Sequence, residues 1–221
     1  MAADIVSMLD SSFPQVETTF VNDIDRENIE SLSSILEGKK SSSQFRAINR
    51  GEHPIFAQFE YMSAELSEDE IALLPSALVS MSGKMINDFD GWFLNLNLVS
   101  EMLKKGIQKT EPSGGHQFIP VNIIRTDGTT IGLGYFWKVL NVVDAINLDS
   151  EGVKPIGGRE IKRDSYLSYK EGDIYIHSDK VSGKAAWHDI RRSNSFIIST
   201  ALVEFINREK INNIRFRKFM K

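Results

Sequence analysis

Apolar and polar residues follow a strand-like pattern across residues 121–150, the stretch VNIIRTDGTTIGLGYFWKVLNVVDAINLDS. Its first run, Val121 to Arg125, leads into Asp127–Gly128, a dipeptide typical of a type I′ β-turn. Its second run, Ile131 to Ile146, is rich in the β-branched and aromatic residues that strands prefer. The pattern predicts an antiparallel hairpin. Because so apolar a hairpin needs a covering layer, we expect an α+β fold with a central, mostly antiparallel sheet and helices packed on one face.

The N-terminal part of the chain carries weaker patterns. Four apolar residues spaced three and four apart predict a short helix: Ile29, Leu32, Ile35 and Leu36. Asp25 or Asn28 would cap this helix, and Gly38 would end it. The alternation from Gln44 to Ala64 then predicts a strand. We therefore expect residues 1–64 to form a variable N-terminal segment of helix and strand.

A strand, a capping serine and a helix follow one another twice in the chain. In the first copy, a strand over residues 92–100 ends at Ser100, which caps a helix that Gly106 ends. The second copy has a strand over residues 195–199, a helix over residues 202–208 and a closing strand over residues 211–219. Between the copies, residues 151–184 are rich in loops and contain one short strand, Asp173 to His177.

The composition narrows the class of protein. The 221 residues are 41% hydrophobic and 25% charged, which is ordinary for a soluble globular chain. The absence of cysteine excludes disulfides, thiolate metal sites and cysteine nucleophiles. The N-terminus does not resemble a signal peptide, and no apolar run is long enough to span a membrane. These features predict a cytoplasmic protein.

Charge is distributed unevenly along the chain. Residues 1–110 hold 17 acidic and 9 basic residues, a net charge of −8, whereas residues 111–221 hold 13 acidic and 17 basic residues, a net charge of +4. The difference indicates either ordinary solvated faces or an acidic surface that attracts a basic partner. The densest acidic cluster is Glu68–Glu70, where Ser67 and Glu70 form a capping box.

No constellation of residues predicts catalysis, a cofactor or a metal ion. Gly132 and Gly134 lack the third glycine and the following helix of a dinucleotide fingerprint, and are more typical of a bulge or a close packing contact. One region gathers histidines and carboxylates without the spacing of a metal site: His177, Asp179, His188 and Asp189. A Gly-x-Ser-x-Gly motif is absent.

The C-terminal run from Ile214 to Phe219 interleaves cations with aromatic residues. Such a pattern occurs in platforms that bind single-stranded nucleic acid. It is also typical of an edge strand with a protective charged side, which is the interpretation we favour.

Four segments together resemble one protein family: Trp92 to Ser100, Phe118 to Val121, Tyr135 to Ser150 and Ile197 to Phe216. The most specific piece is VLNVVDAINLDS, residues 139–150. It is similar to the leucine-asparagine, valine-aspartate-alanine and aspartate-serine pattern of the Imm-eleven-type immunity proteins of bacterial polymorphic toxin systems. The resemblance covers residues 75–219. It implies an immunity-type α+β domain over residues 65–221, separate from or continuous with residues 1–64.

Membership in this family implies a non-enzymatic protein that binds and neutralises a cognate antibacterial toxin delivered by contact-dependent inhibition or type VI secretion. Many such toxins are nucleases, and an acidic surface can fill a basic nucleic-acid cleft. Charge density alone predicts the toxin-binding residues Glu68, Asp69, Glu70, Asp88 and Asp90. The alternatives are a nucleic-acid-associated regulatory module that uses the basic half of the chain, and an enzyme or toxin encoded in the same operon.

Overall fold

The computed structural model describes residues 7–10, 17–91, 96–156, 167–169, 174–191, 196–211 and 214–218. The described elements are, in chain order, β1 (Ser7–Asp10), β2 (Thr18–Phe20), α1 (Asp23–Asn49), a 3₁₀ turn (Pro54–Ala57), α2 (Gln58–Tyr61), α3 (Glu68–Ile71), β3 (Ala77–Ser80), β4 (Phe89–Gly91), β5 (Leu96–Ser100), α4 (Glu101–Thr110), β6 (His116–Ile124), β7 (Thr130–Val139), β8 (Val142–Val143), β9 (Val153–Pro155), β10 (Leu167–Tyr169), α5 (Ser178–Val181), β11 (Ala186–Asp189), β12 (Ile197–Ile198), α6 (Thr200–Arg208) and β13 (Arg215–Lys218).

A six-stranded sheet forms the centre of the fold, in the order β2-β3-β6-β7-β5-β4. The hairpin of β6 and β7 lies in the middle of this sheet, as the sequence predicts. The β3–β6 pair is parallel, and the other neighbouring pairs are antiparallel. The predicted α+β class with a mostly antiparallel central sheet is confirmed, and the sheet is mixed rather than purely antiparallel.

Successive residues of β7 face two different hydrophobic cores. Trp137 packs in one core with residues of α4 and α6, among them Leu103 and Leu202. Phe136 packs in another core with Leu32 of α1. Helices therefore cover both faces of the sheet, α4 and α6 one face and α1 the other, whereas the sequence predicts helices on one face. These two covering layers explain why β7 is buried at every position from Gly134 to Val139 instead of at alternate positions.

A second, five-stranded sheet has the order β13-β1-β12-β11-β8. It includes β8, so the second hairpin strand ends at Val139, and its predicted continuation to Ile146 is wrong. Asn141 redirects the chain, because its backbone oxygen accepts a hydrogen bond from the His188 N–H and its amide nitrogen donates to the Ala186 oxygen. β13 lies at the edge of this sheet, which confirms the edge-strand interpretation of the C-terminal run.

Several sequence predictions extend past the described residues. Residues 92–95, 173, 195, 212–213 and 219 belong to predicted strands and lie outside the described part of the chain. Within that part, Ile176 forms an isolated bridge with Ile146 in place of the predicted strand from Asp173 to His177.

The tip of the central hairpin differs from the predicted type I′ turn. That turn requires positive φ at both central residues, but only Gly128, with φ of 84°, has one, and Asp127 does not. The Gly128 N–H donates to the Arg125 oxygen at 2.9 Å, and the Asp127 carboxylate accepts from the Thr129 N–H at 2.8 Å. The Asp127 side chain thereby stabilises a longer loop over residues 125–129.

Helix α1 is much longer than predicted. It begins after Asn22, whose side chain accepts a hydrogen bond from the Asp25 N–H, so neither Asp25 nor Asn28 is the cap. It runs through Gly38, and residues 44–64 form the end of α1, the 3₁₀ turn and α2 instead of the predicted strand. Four of its residues are buried: Ile29, Leu32, Ser43 and Ala47. This packing stabilises the helix on both sides of Gly38, because tertiary contacts outweigh the weak propensity of one glycine.

The two predicted serine caps are confirmed. The Ser100 hydroxyl accepts a hydrogen bond from the Leu103 N–H at 3.2 Å at the start of α4. The Ser199 hydroxyl accepts from the Leu202 N–H at 3.3 Å at the start of α6. Both helices therefore begin where a strand of one of the two sheets ends.

Gly106 lies at the contact between α4 and α6, and α4 runs past it instead of ending there as predicted. A Cβ on Gly106 would lie less than 3.0 Å from the Phe205 ring, whereas a Cβ on Gly38 would meet no atom within 4 Å. We expect Gly106→Ala to lower the free energy of unfolding by about 1–2 kcal/mol through overpacking. Gly38→Ala should instead raise it by about 0.5 kcal/mol, because alanine favours the helix. Urea unfolding measures both signs, and stabilisation by Gly106→Ala would contradict the close helix contact.

Candidate functional site

Helix α3 carries three of the five predicted toxin-binding residues. The predicted capping box is present, since the Ser67 hydroxyl accepts from the Glu70 N–H and the Glu70 carboxylate accepts from the Ser67 N–H. Glu70 is buried, and its carboxylate lies 2.7 Å from Lys39 Nζ of α1. Burial opposes ionisation of Glu70, but the contacts with Lys39 and Ser67 hold its pKa below the usual value. Glu68 and Asp69 are exposed beside this buried pair.

The other two predicted residues lie at strand β4, at an edge of the central sheet. Asp90 is buried and accepts hydrogen bonds from the Asn87 N–H at 3.2 Å and the Asn87 side-chain amide at 3.0 Å. Burial raises the pKa of Asp90. Asp88 is half-buried and accepts a hydrogen bond of 2.6 Å from the Ser100 hydroxyl. Of the five predicted residues, Glu68 and Asp69 are the fully exposed ones.

The solvent-exposed side of α1 presents carboxylates that the sequence prediction missed. Four exposed acidic residues recur at helical spacing on it: Asp23, Glu27, Glu30 and Glu37. The same side continues into Phe45 and Ile48, whose side chains are 64% and 56% exposed. We call these six residues the α1 face. Their spacing is a signal in the sequence, but it becomes visible only when the helix is known to extend from Asp23 to Asn49.

A buried polar cluster joins the two sheets beyond the end of α4. The Glu111 carboxylate accepts hydrogen bonds from His116 Nε2 at 2.9 Å, Asn141 Nδ2 at 3.0 Å and the Ala185 N–H at 2.7 Å. An indole nitrogen can only donate, and Trp137 Nε1 lies 3.3 Å from His116 Nδ1. The Trp137 indole therefore donates to His116 Nδ1, and Nε2 is the His116 nitrogen that faces Glu111. Burial opposes ionisation of Glu111, but its hydrogen bonds hold the pKa below the usual value.

A second buried carboxylate lies at the end of β11 in the five-stranded sheet. The Asp189 carboxylate accepts hydrogen bonds from the backbone N–H groups of Ala145, Ile146 and Arg191 at 2.9–3.0 Å. Burial raises the pKa of Asp189 and lowers that of Arg191, whose guanidinium pairs with Asp144. Residues 141–146, within the segment most similar to the immunity proteins, therefore donate hydrogen bonds to both buried carboxylates, Glu111 and Asp189.

The histidines and carboxylates that gather in one region of the sequence are separated in the structure into buried and exposed pairs. Within the described ranges, no three His, Cys, Asp or Glu side chains are grouped so that they could hold a metal ion. His188 and Asp189 are buried in β11, whereas His177 and Asp179 are exposed.

Among the helices that the structure describes, none has the length and apolar character that a membrane span requires.

The two glycines of β7 mark close packing contacts, as predicted. A Cβ on Gly132 would lie 2.5 Å from Met85 Sδ, and one on Gly134 would lie 2.8 Å from Ile86 Cδ1. The segment before β4 thus packs directly on the central strand, and a larger residue at either glycine would displace it.

An α+β fold that exposes carboxylates and large apolar groups along one helix is typical of a protein-binding protein. The model of the immunity protein family Imm11 matches residues 22–221, and the chain belongs to this family. The match begins at the cap of α1, so it includes the α1 face as well as the segment that carries the sequence resemblance. A search of curated proteins found no match to the chain.

Proposed function

We propose that this immunity protein binds a cognate antibacterial toxin in a stoichiometric complex and neutralises it without catalysis. The observation that carries the proposal is the α1 face, because it combines exposed charge with exposed apolar groups on a rigid helix. Glu68 and Asp69 of α3 contact the toxin directly in this proposal. The other three predicted residues form contacts within the protein and thereby position the exposed surface: Glu70, Asp88 and Asp90.

The acidic character of this surface favours a toxin with a basic active site. A nuclease that acts in the cytosol has such a site, and an acidic protein can occupy it in place of phosphate groups. The protein then acts in the cytoplasm of the cell that it protects, against a toxin delivered by contact-dependent inhibition or type VI secretion. Complementary charge would also speed association, which matters when a toxin arrives in few copies.

Co-expression with the protein encoded immediately upstream tests this function. We expect the chain to restore survival of cells that produce this protein and to co-purify with it. Titration of the purified proteins should reach full inhibition at one equivalent, because each bound copy blocks one toxin. Inhibition at far below one equivalent would indicate an enzyme, and neither rescue nor a complex would contradict the proposal.

A further inference from the structure

An open groove of about 530 Å³ runs between α1 and the segment that contains α2. Its lining residues are Gly38, Lys39, Ser42, Ser43, Arg46, Glu60, Tyr61 and Ala64. Half of them are glycine, serine or alanine, so the groove has room for a side chain that enters from outside. A cavity of this volume is within the usual range for binding sites.

The wall of the groove opposite α1 is held in place from the central sheet. Lys138 of β7 is buried, and its ammonium group donates hydrogen bonds to the backbone oxygens of Met62 and Ala64. Gln117 of β6 bonds both the N–H and the oxygen of Leu66. The groove is therefore fixed before any partner binds, which lowers the entropic cost of docking.

Exposed apolar side chains border the groove. Phe45 is on the α1 face, three residues after Ser42, and neighbours it on the helix surface. Ile35 precedes Gly38 by three residues and is also exposed. Phe59 is exposed next to Glu60 of the opposite wall. Large exposed side chains around a concave site are typical of the anchors of a protein interface.

Charge around the groove is predominantly negative. Arg46 pairs with Glu60, and Lys39 pairs with Glu70, so the two cations in the lining are already balanced. Glu37 pairs with Lys40, whereas Glu65, Glu68 and Asp69 are exposed carboxylates that closely follow the lining residue Ala64 in the chain. A segment that carries lysine or arginine is complementary to such a rim, whereas an acidic segment is repelled.

We propose that this groove binds a lysine- or arginine-bearing segment of the toxin domain, with Phe45 packing on the apolar part of that segment. The proposal rests on the proposed function and names the surface that performs it. It also assigns the predicted cluster at Glu68 and Asp69 to the rim of a concave site.

The direct test fills the groove. Ser42→Trp places a large side chain in it, and we expect the Kd for the toxin domain encoded immediately upstream to rise by about tenfold or more. Gln108→Trp is the matched control, because it adds an exposed tryptophan to α4 on the other face of the central sheet. This control should change the Kd by less than about twofold. Thermal unfolding checks that both variants remain folded.

Truncation of the apolar border tests the same site without steric bulk. Phe45→Ala should also weaken binding by about tenfold, whereas Met102→Ala, which truncates an exposed residue of α4, should not. Charge reversal at Glu68 and Asp69 should weaken binding most at low salt, while reversal at Glu204 of α6 and at Glu209, directly after α6, leaves it unchanged.

The outcomes of these tests distinguish the proposed groove from the proposed immunity function. Binding and neutralisation by the wild type, with unchanged affinity in Ser42→Trp and Phe45→Ala, would overturn the groove and leave the immunity function intact. Failure of the wild type to bind the upstream toxin domain would overturn the proposed function and the groove together.

Discussion

Glu111→Ala lowers the free energy of unfolding by about 3 kcal/mol, because it leaves buried donors without an acceptor. The Glu111 carboxylate accepts hydrogen bonds from His116, Asn141 and the Ala185 N–H, and its side chain is 5% exposed. His116 lies in β6 of the central sheet, and Asn141 and Ala185 directly precede β8 and β11 of the second sheet, so the substitution weakens the junction between the sheets. Urea denaturation at neutral pH measures the loss.

Two further variants test whether this loss of stability comes from removing a buried hydrogen-bond acceptor. Glu111→Gln keeps the volume of the side chain but turns one acceptor into a donor that faces other donors, so it should be destabilising as well. Glu209→Ala removes an exposed carboxylate that contacts Arg208 and should cost less than about 0.5 kcal/mol. An equal, small effect of Glu111→Ala and Glu209→Ala would show that the cluster does not join the sheets.

Lys138 contributes a rise in the stability of the protein between about pH 8 and pH 10.5, because it loses its proton more easily in the folded chain. Burial lowers the pKa of Lys138 to about 8 from an ordinary value of 10.5. Between these two values the unfolded chain binds more protons than the folded chain, so the free energy of unfolding increases with pH. The shift corresponds to about 3 kcal/mol in total, of which about 2 kcal/mol should appear between pH 7.5 and pH 10.

Comparison with Lys138→Met isolates this contribution. Methionine has a similar length and no charge, so the variant should lack the rise that Lys138 causes. Other groups titrate in both proteins and cancel in the difference between the two curves. Lys105→Met removes an exposed lysine and should leave the rise intact. Parallel curves for wild type and Lys138→Met would rule out the lowered pKa.

The central hairpin could be predicted because its signal is local. Strand-forming residues on both sides of Asp127–Gly128 favour a hairpin, and the serine caps at Ser100 and Ser199 depend on residues three positions apart. The end of the second strand could not be predicted. It depends on Asn141, whose hydrogen-bond partners in β11 are more than 40 residues away.

The candidate surface likewise has one part that the sequence could predict and another part that it could not. Glu68 and Asp69 are exposed as a surface prediction requires, but the sequence could not show that Glu70 and Asp90 are buried, because their partners come from tertiary packing or a specific turn. The α1 face was hidden because residues 39–43, KKSSS, have no apolar periodicity that would continue the helix past Gly38. Instead, the burial of Ser43 and Ala47 against neighbouring elements stabilises this part of α1.

The sequence by itself determined the α+β class, the central hairpin, the starts of α4 and α6 and the likeness to immunity proteins, since each depends on residues close together in the chain. Tertiary structure decided the length of α1, the inclusion of β8 in the second sheet, and the groove between α1 and α2. These features depend on contacts between distant segments, whose burial outweighs the weak local preferences of glycine, serine and lysine. The surface proposed to meet the toxin is therefore a product of packing, although most of its carboxylates were already visible in the acidic first half of the chain.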